Sequence, residues 1–189
     1  GVRVVFFTWQ NLMRRYPPPF GWFESYVHRH ADAALAGNRE AARVLRSKGY
    51  QGRLVIAPQF GVDPSLYYPA PQPTTSRPYT IGYAGRLVPE KGLYVLAEAL
   101  ERLGGAWRLL LCGEGPLKVP LQEHFVRRGL EERVRFCGRV PSQEMPHYYA
   151  QMDVLALPSL SCPHWKEQFG RALVEAMAEP LGAEAFAEE

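Results

Sequence analysis

The sequence predicts an α/β chain, and three observations carry that expectation. Seven short apolar or β-branched runs, VRVVFF, DAALAG, RLVIAP, TIGYAG, WRLLLCG, RVRFCG and DVLALPS, recur along it. Helix-length amphipathic segments separate them, and several runs stop at Gly or Pro-Ser. Continuously apolar strands alternating with helices make a parallel sheet covered on both faces, because parallel strands need a crossover and a helix supplies it.

Taken in order, residues 1–57 hold about three strands and two helices, the helices within FGWFESYVHRH and NREAARVLRSKG. Residues 58–78, PQFGVDPSLYYPAPQPTTSRP, carry six prolines in 21 residues, which suits neither a helix nor a central strand and marks a linker. Residues 79–178 hold four strands, with helices near 90–103, 117–128, 143–150 and 167–178. Residues 179–189 form an atypical tail. Neither strand-bearing part reaches the five or six strands usual for a doubly wound sheet, although ADAALAGN and MDVLALPS resemble each other as two similar halves do.

At 189 residues, 47% hydrophobic and 22% charged, the chain can bury a real core. A net charge of +3 and a pI near 8.8, with no block of like charges, point away from nucleic acid and allow a weak preference for anionic ligands. Cys112, Cys137 and Cys162 stand 25 residues apart, too far for a zinc knuckle and odd in number for a disulfide framework. They read as reduced core residues, hence a cytoplasmic setting. The first residues have no signal-peptide pattern and no initiator Met, as expected of a piece that begins mid-protein.

In open α/β sheets ligands bind beyond the carboxyl ends of the strands. YAGRLVPEKG places Gly85 and Arg86 after a strand, Pro89 at a first helical position and Lys91 within that helix's first turn. Two cations at a helix N-terminus suit a diphosphate, since free N–H groups and the helix dipole add to their charge. Taken alone, they read first as solvated surface charges. In CGEGP and FCGRVP the glycines read first as tight turns and second as close approaches to a ligand.

Phe169, Leu173 and Met177 recur every four residues beside Ala172 and Ala176, so that face is expected to pack on the sheet and leave Glu167 and Glu175 off it. On one helix the two glutamates stand about 12 Å apart along the axis and about 80° apart around it. Carboxylates that share a glycosidic bond lie about 5–9.5 Å apart, so the pair suits two ends of one elongated ligand better. Two incidental glutamates on a solvated helix remain equally open. Gly170 costs about 1 kcal/mol relative to Ala in a helix but removes a side chain where a phosphate could meet backbone N–H groups.

The ordered set GRLVPEKG, CGEGP, FCGRVP, DVLALPS and EQFGRALVEAMA, spread over about residues 32–178, resembles the retaining GT-B glycosyltransferases of family 4, also called glycosyl transferase group 1. The last segment contains the family's E-x7-E motif, and APQFGVDPSLYYP looks like its interdomain segment, with Gln59 replacing the commoner Asn. The resemblance implies two Rossmann-like parallel-sheet domains, both incomplete here, and transfer of a sugar from a UDP-, GDP- or ADP-linked donor to a saccharide or lipid-linked acceptor with retention. By the same resemblance Arg86 and Lys91 hold the diphosphate. Glu167 binds the sugar hydroxyls, with the Gly85, Phe169 and Gly170 backbone alongside. Glu175 holds the ribose, and the main chain at Arg139 and Val140 borders the base. Asp32 and Asp153 match strand-start positions that are structural.

The only aspartates are Asp32, Asp63 and Asp153, none in a D-x-D pair of the kind that holds a divalent ion in GT-A enzymes, so neither metal nor cofactor is expected. His28 and His30 have no evident third ligand and read as a polar helix surface. The family's glycine-rich loop and much of its acceptor site are absent, and TWQN stands where many members place a histidine. Gln10 or Asn11 is a candidate for a sugar hydroxyl, with capping of the next helix at least as good a reading. EPLGAEAFAEE replaces the family's C-G-x-P-V strand. Trp22, Phe23 and Tyr26 offer a sugar-acceptor face or a weak peripheral membrane contact, with packing of their helix under the sheet the leading reading. A GT-B epimerase or phosphorylase, or a non-catalytic nucleotide-binding fragment, is the alternative.

Overall fold

A computed structural model describes residues 2–58, 61–67, 77–168 and 170–178. All seven strands anticipated from the sequence form. The chain divides into two compact units, one of Gly1–Gly61 with Ser161–Phe169, the other of Val62–Leu160 with Gly170–Glu189. Gln59, Phe169, most of 58–78 and the tail 179–189 lie outside the described residues.

The first unit alternates β1 (Val5–Thr8), α1 (Phe20–His30), β2 (Ala33–Ala36), α2 (Arg39–Ser47) and β3 (Arg53–Ile56), and its strands pair in parallel in the order β1-β2-β3. Asn38 starts α2: its side chain accepts the Ala41 N–H at 2.7 Å, one of the donors a helix start leaves unpaired. Ala41, Ala42 and Leu45 then face the sheet and bury with Ala34, Ala36 and Tyr50. Asp32 is structural, accepting the Val4 N–H at 2.7 Å. Helix α1 departs from expectation. It buries no residue, turns Glu24 and His28 inward, and leaves Phe20, Trp22, Phe23 and Tyr26 exposed, each 63–69%. The physical reason is polar: Glu24 pairs with Lys48 at 2.5 Å, and His28 stacks on Phe6.

The second unit runs β4 (Tyr79–Ala84), α3 (Leu93–Arg102), β5 (Trp107–Cys112), α4 (Lys118–Arg127), β6 (Val134–Gly138), α5 (Met145–Tyr149), β7 (Val154–Leu155) and α6 (Arg171–Ala178). Its parallel sheet has the order β6-β5-β4-β7. Alternation along β5 sends Leu109 and Leu111 into a core with Tyr83, Leu93, Leu121 and Phe125, and Leu110 and Cys112 into another with Met145, Tyr149 and Met152. Both faces are therefore covered. A Cβ at Gly82 would stand 1.9 Å from Met152 Sδ, so glycine is what lets the segment before β7 lie against β4. Asp153 ties the strand starts together, accepting two bonds from Arg77 at 2.7 and 2.8 Å and the Thr80 N–H at 2.6 Å.

Two helix starts differ from those the sequence suggests. Lys91 closes a 3-10 turn, Pro89–Lys91, and precedes α3; Gly92 between them takes φ 65°, a left-handed value that side chains resist. Helix α6 begins at Arg171, after Gly170 at φ 65°, so Glu167 is not helical and the axial spacing expected for Glu167 and Glu175 does not apply.

Candidate functional site

In the second unit the loops that follow β4, β5, β6 and β7 are joined into one rim. The parallel ladder continues past the strands, with Gly85 N–H donating to Cys112 O at 2.9 Å, Gly113 N–H to Gly138 O at 2.8 Å and Leu87 N–H to Glu114 O at 2.9 Å. Leu160 N–H donates to Glu90 O at 2.9 Å, which fastens the loop after β7 to the 3-10 turn. Glycines permit these approaches: a Cβ would fall 1.8 Å from Gly85 O at Gly113, 2.4 Å from Leu87 O at Gly115 and 1.8 Å from Pro158 O at Gly92. The CGEG glycines thus serve loop against loop. Tyr83 donates its hydroxyl proton to Arg86 O at 2.8 Å, pinning the turn that carries Gly85 and Arg86.

On this rim Arg86 and Arg139 are exposed, Lys91 and Val140 half-buried, and Val140 packs on the core that holds Tyr149. Arg86 makes no ion pair among the described residues. Its cation is available to an anion. Glu175 corrects the sequence reading: it is 7% exposed, on the inner side of α6 beside Ala176, while Met177 is 68% exposed. Tyr149 donates to its Oε2 at 2.9 Å and Arg171 Nε to its Oε1 at 2.6 Å. A buried carboxylate needs such partners, and they hold it off the solvent face where the four-residue repeat placed it. Burial and the Glu175 charge push the Tyr149 hydroxyl well above the usual phenol range. Burial likewise raises the Cys112 and Cys137 thiols, which remain protonated in the core.

Glu167 belongs to the first unit, in a segment whose main chain is held by side chains at the ends of β1 and β2. Asn11 Nδ2 donates to Lys166 O and Glu167 O, both at 3.3 Å; Asn38 Nδ2 donates to Gln168 O at 2.8 Å; Gln168 Nε2 reaches Trp9 O at 3.1 Å. Lys166 also pairs with Glu40, and Arg14 donates to His164 O at 2.6 Å. Asn11, 8% exposed, is therefore neither a helix cap nor an open sugar contact; it positions the Glu167 main chain. Gln10 accepts from Lys48 Nζ at 3.0 Å and points into a cavity of about 260 Å³ that Phe6, Phe23 and His28 also line. Asn38 was readable as a helix start, but its second partner, 130 residues away, leaves no local signal.

Fold and rim together define an α/β protein with exposed arginines at the strand ends of a parallel sheet. The family profile of glycosyl transferases group 1 matches residues 68–179, more than half of the chain, and the chain belongs to that family. It is 29% identical over 173 residues to the putative colanic acid biosynthesis glycosyltransferase WcaL of Escherichia coli K12, covering 89% of this chain and 42% of that protein. It is 32% identical to a D-inositol 3-phosphate glycosyltransferase of Corynebacterium efficiens, over 66% of this chain and 32% of that one. The chain spans less than half the length of these curated relatives. Among solved structures, the Anabaena protein HepE in complex with UDP and glucose aligns at a TM-score of 0.69 and 23% identity, over 93% of this chain and 50% of that one. That likeness gives the fold, which is of the GT-B type.

Proposed function

We propose that the intact protein transfers a sugar from a nucleotide-diphosphate donor, UDP-, GDP- or ADP-linked, to an acceptor hydroxyl on a saccharide or lipid-linked saccharide, with retention and without a metal. The observation that carries the reading is the rim of the second unit, which offers the exposed Arg86 beside Lys91 at the strand ends of a family member. Arg86 and Lys91 neutralise the diphosphate and the charge that develops as the glycosidic bond breaks. The Gly85 and Gly170 main chain lies along the phosphates, with Phe169 beside the sugar, and the main chain at Arg139 and Val140 borders the base. Ribose hydroxyls donate to Glu175 and take the place of Arg171, whose side chain is 60% exposed, so the buried carboxylate keeps a partner. Glu167 accepts from the sugar hydroxyls. Gln10 serves the acceptor side through its amide, and Asn11 by holding the Glu167 segment.

Two measurements test this. Glu175→Ala weakens nucleotide-sugar binding about tenfold or more, as loss of a charged hydrogen-bond acceptor predicts; unchanged affinity overturns the ribose role. A chelator leaves transfer unaltered; restoration of a chelated enzyme by a divalent ion overturns the metal-free reading. A weak peripheral contact with the inner face of the membrane is supported by the outward aromatic face of α1. Sedimentation with anionic vesicles that does not change in Trp22→Ser would remove that contact.

A further inference from the structure

The opposite end of the second unit's sheet carries a second basic site. A cavity of about 370 Å³ opens at the amino ends of β4, β5 and β6, where Arg77, Arg108, Arg133 and Arg135 face a single lining carboxylate, Glu132. Two of the guanidiniums are already engaged. Arg77 is held by Asp153, and Arg133 donates to Gly105 O at 3.0 Å and lies 5.1 Å over the Trp107 ring. Arg108 and Arg135 have no hydrogen bond or ion pair among the described residues.

Arg108 and Arg135 are both exposed on the cavity lining and carry like charge. β5 lies between β4 and β6, and Leu109 pairs with Val134 and Leu110 with Arg135, so Arg108 and Arg135 share a face one diagonal step apart. Strand spacing and rise put their Cα atoms about 8 Å apart, close enough for the charges to repel and for both forks to converge on one anion. Asp153 does not line the cavity and is engaged by Arg77 and the Thr80 N–H. A tetrahedral oxyanion with several acceptor oxygens satisfies two guanidiniums at once, as a single carboxylate does less well. The volume lies in the range of small-molecule sites.

We propose that this cavity binds a small phosphorylated molecule, a diphosphate or phosphomonoester, about a strand's length from the rim that carries Arg86 and Lys91. The proposal stands independently of the donor assignment. Calorimetric titration of the intact protein with inorganic pyrophosphate at low ionic strength tests it, using an Arg108→Gln/Arg135→Gln variant beside an Arg86→Ala/Lys91→Ala variant. Wild type binds; the first variant loses this site, with Kd raised tenfold or more, and the second keeps it. Absence of binding in wild type, or binding kept in the first variant and lost in the second, overturns the proposal. So does capture by phosphatidylglycerol vesicles without affinity for free pyrophosphate. Thermal unfolding supplies a second readout: without ligand the first variant melts at or above wild type, because two like charges are gone, and pyrophosphate raises the melting temperature of wild type and of the second variant more than that of the first. Should that variant melt far below wild type, Arg135→Glu on the edge strand β6 carries the same binding expectation; wild-type affinity in it overturns the site.

Discussion

The two units use the same β-α alternation but bury it to different depths. In the second, β5 is flanked by two strands and covered on both faces, and the loops at its carboxyl end are bonded to one another. In the first, the core is alanine-rich around Leu45 and Tyr50, Val55 and Ile56 are 41% and 47% exposed, and α1 buries nothing. Apolar burial holds the second unit. Polar ties such as Lys48–Glu24 and Asn11 with the 164–168 segment hold much of the first. A site edge built on the former is rigid by packing, and one built on the latter depends on single hydrogen bonds.

The strongest way to break this contrast is steric. Gly113→Val drives a side chain into the Gly85 carbonyl and is expected to destabilise the second unit by about 3 kcal/mol or more, read as an early denaturant transition with the rim opened. Asp153→Ala strands Arg77 and the Thr80 N–H and costs about 1–3 kcal/mol in that transition, the range reflecting a pair about 30% exposed. Asn11→Ala is expected to cost only about 1 kcal/mol of stability yet to lower transfer, because it releases the main chain at Glu167; equal activity in the variant would place that segment's order elsewhere.

The smallest effect is a pH slope in the first unit. Burial against Phe6 and Tyr50 lowers the His28 pKa, with Glu24 opposing and Lys48 adding to the shift. The unfolded chain therefore binds more protons as pH falls below the ordinary histidine value, so stability drops on acidification through that range and is flat above it. His28→Phe is expected to remove the slope, followed by melting temperature against pH.

Elements and chemistry were legible to different degrees. All seven strands were visible as apolar runs, because a strand's burial is written in a few consecutive residues. That Arg86, Lys91 and the CGEG glycines follow strands was visible too, because a strand end is local in sequence. The tail of the E-x7-E segment was not: its four-residue repeat put Met177 inside and Glu175 outside, and the fold reversed both once Tyr149 and Arg171 supplied partners for the carboxylate.

By itself the sequence determined the α/β alternation and the family, since periodicity and motif order are properties of neighbouring residues. Only the tertiary structure decided which polar and charged side chains are engaged. Asp153 is consumed by Arg77, Asn11 by a main chain more than 150 residues away, and Arg108 and Arg135 by nothing among the described residues. Electrostatic and hydrogen-bond partners are chosen by distance in space, and sequence order does not contain that distance.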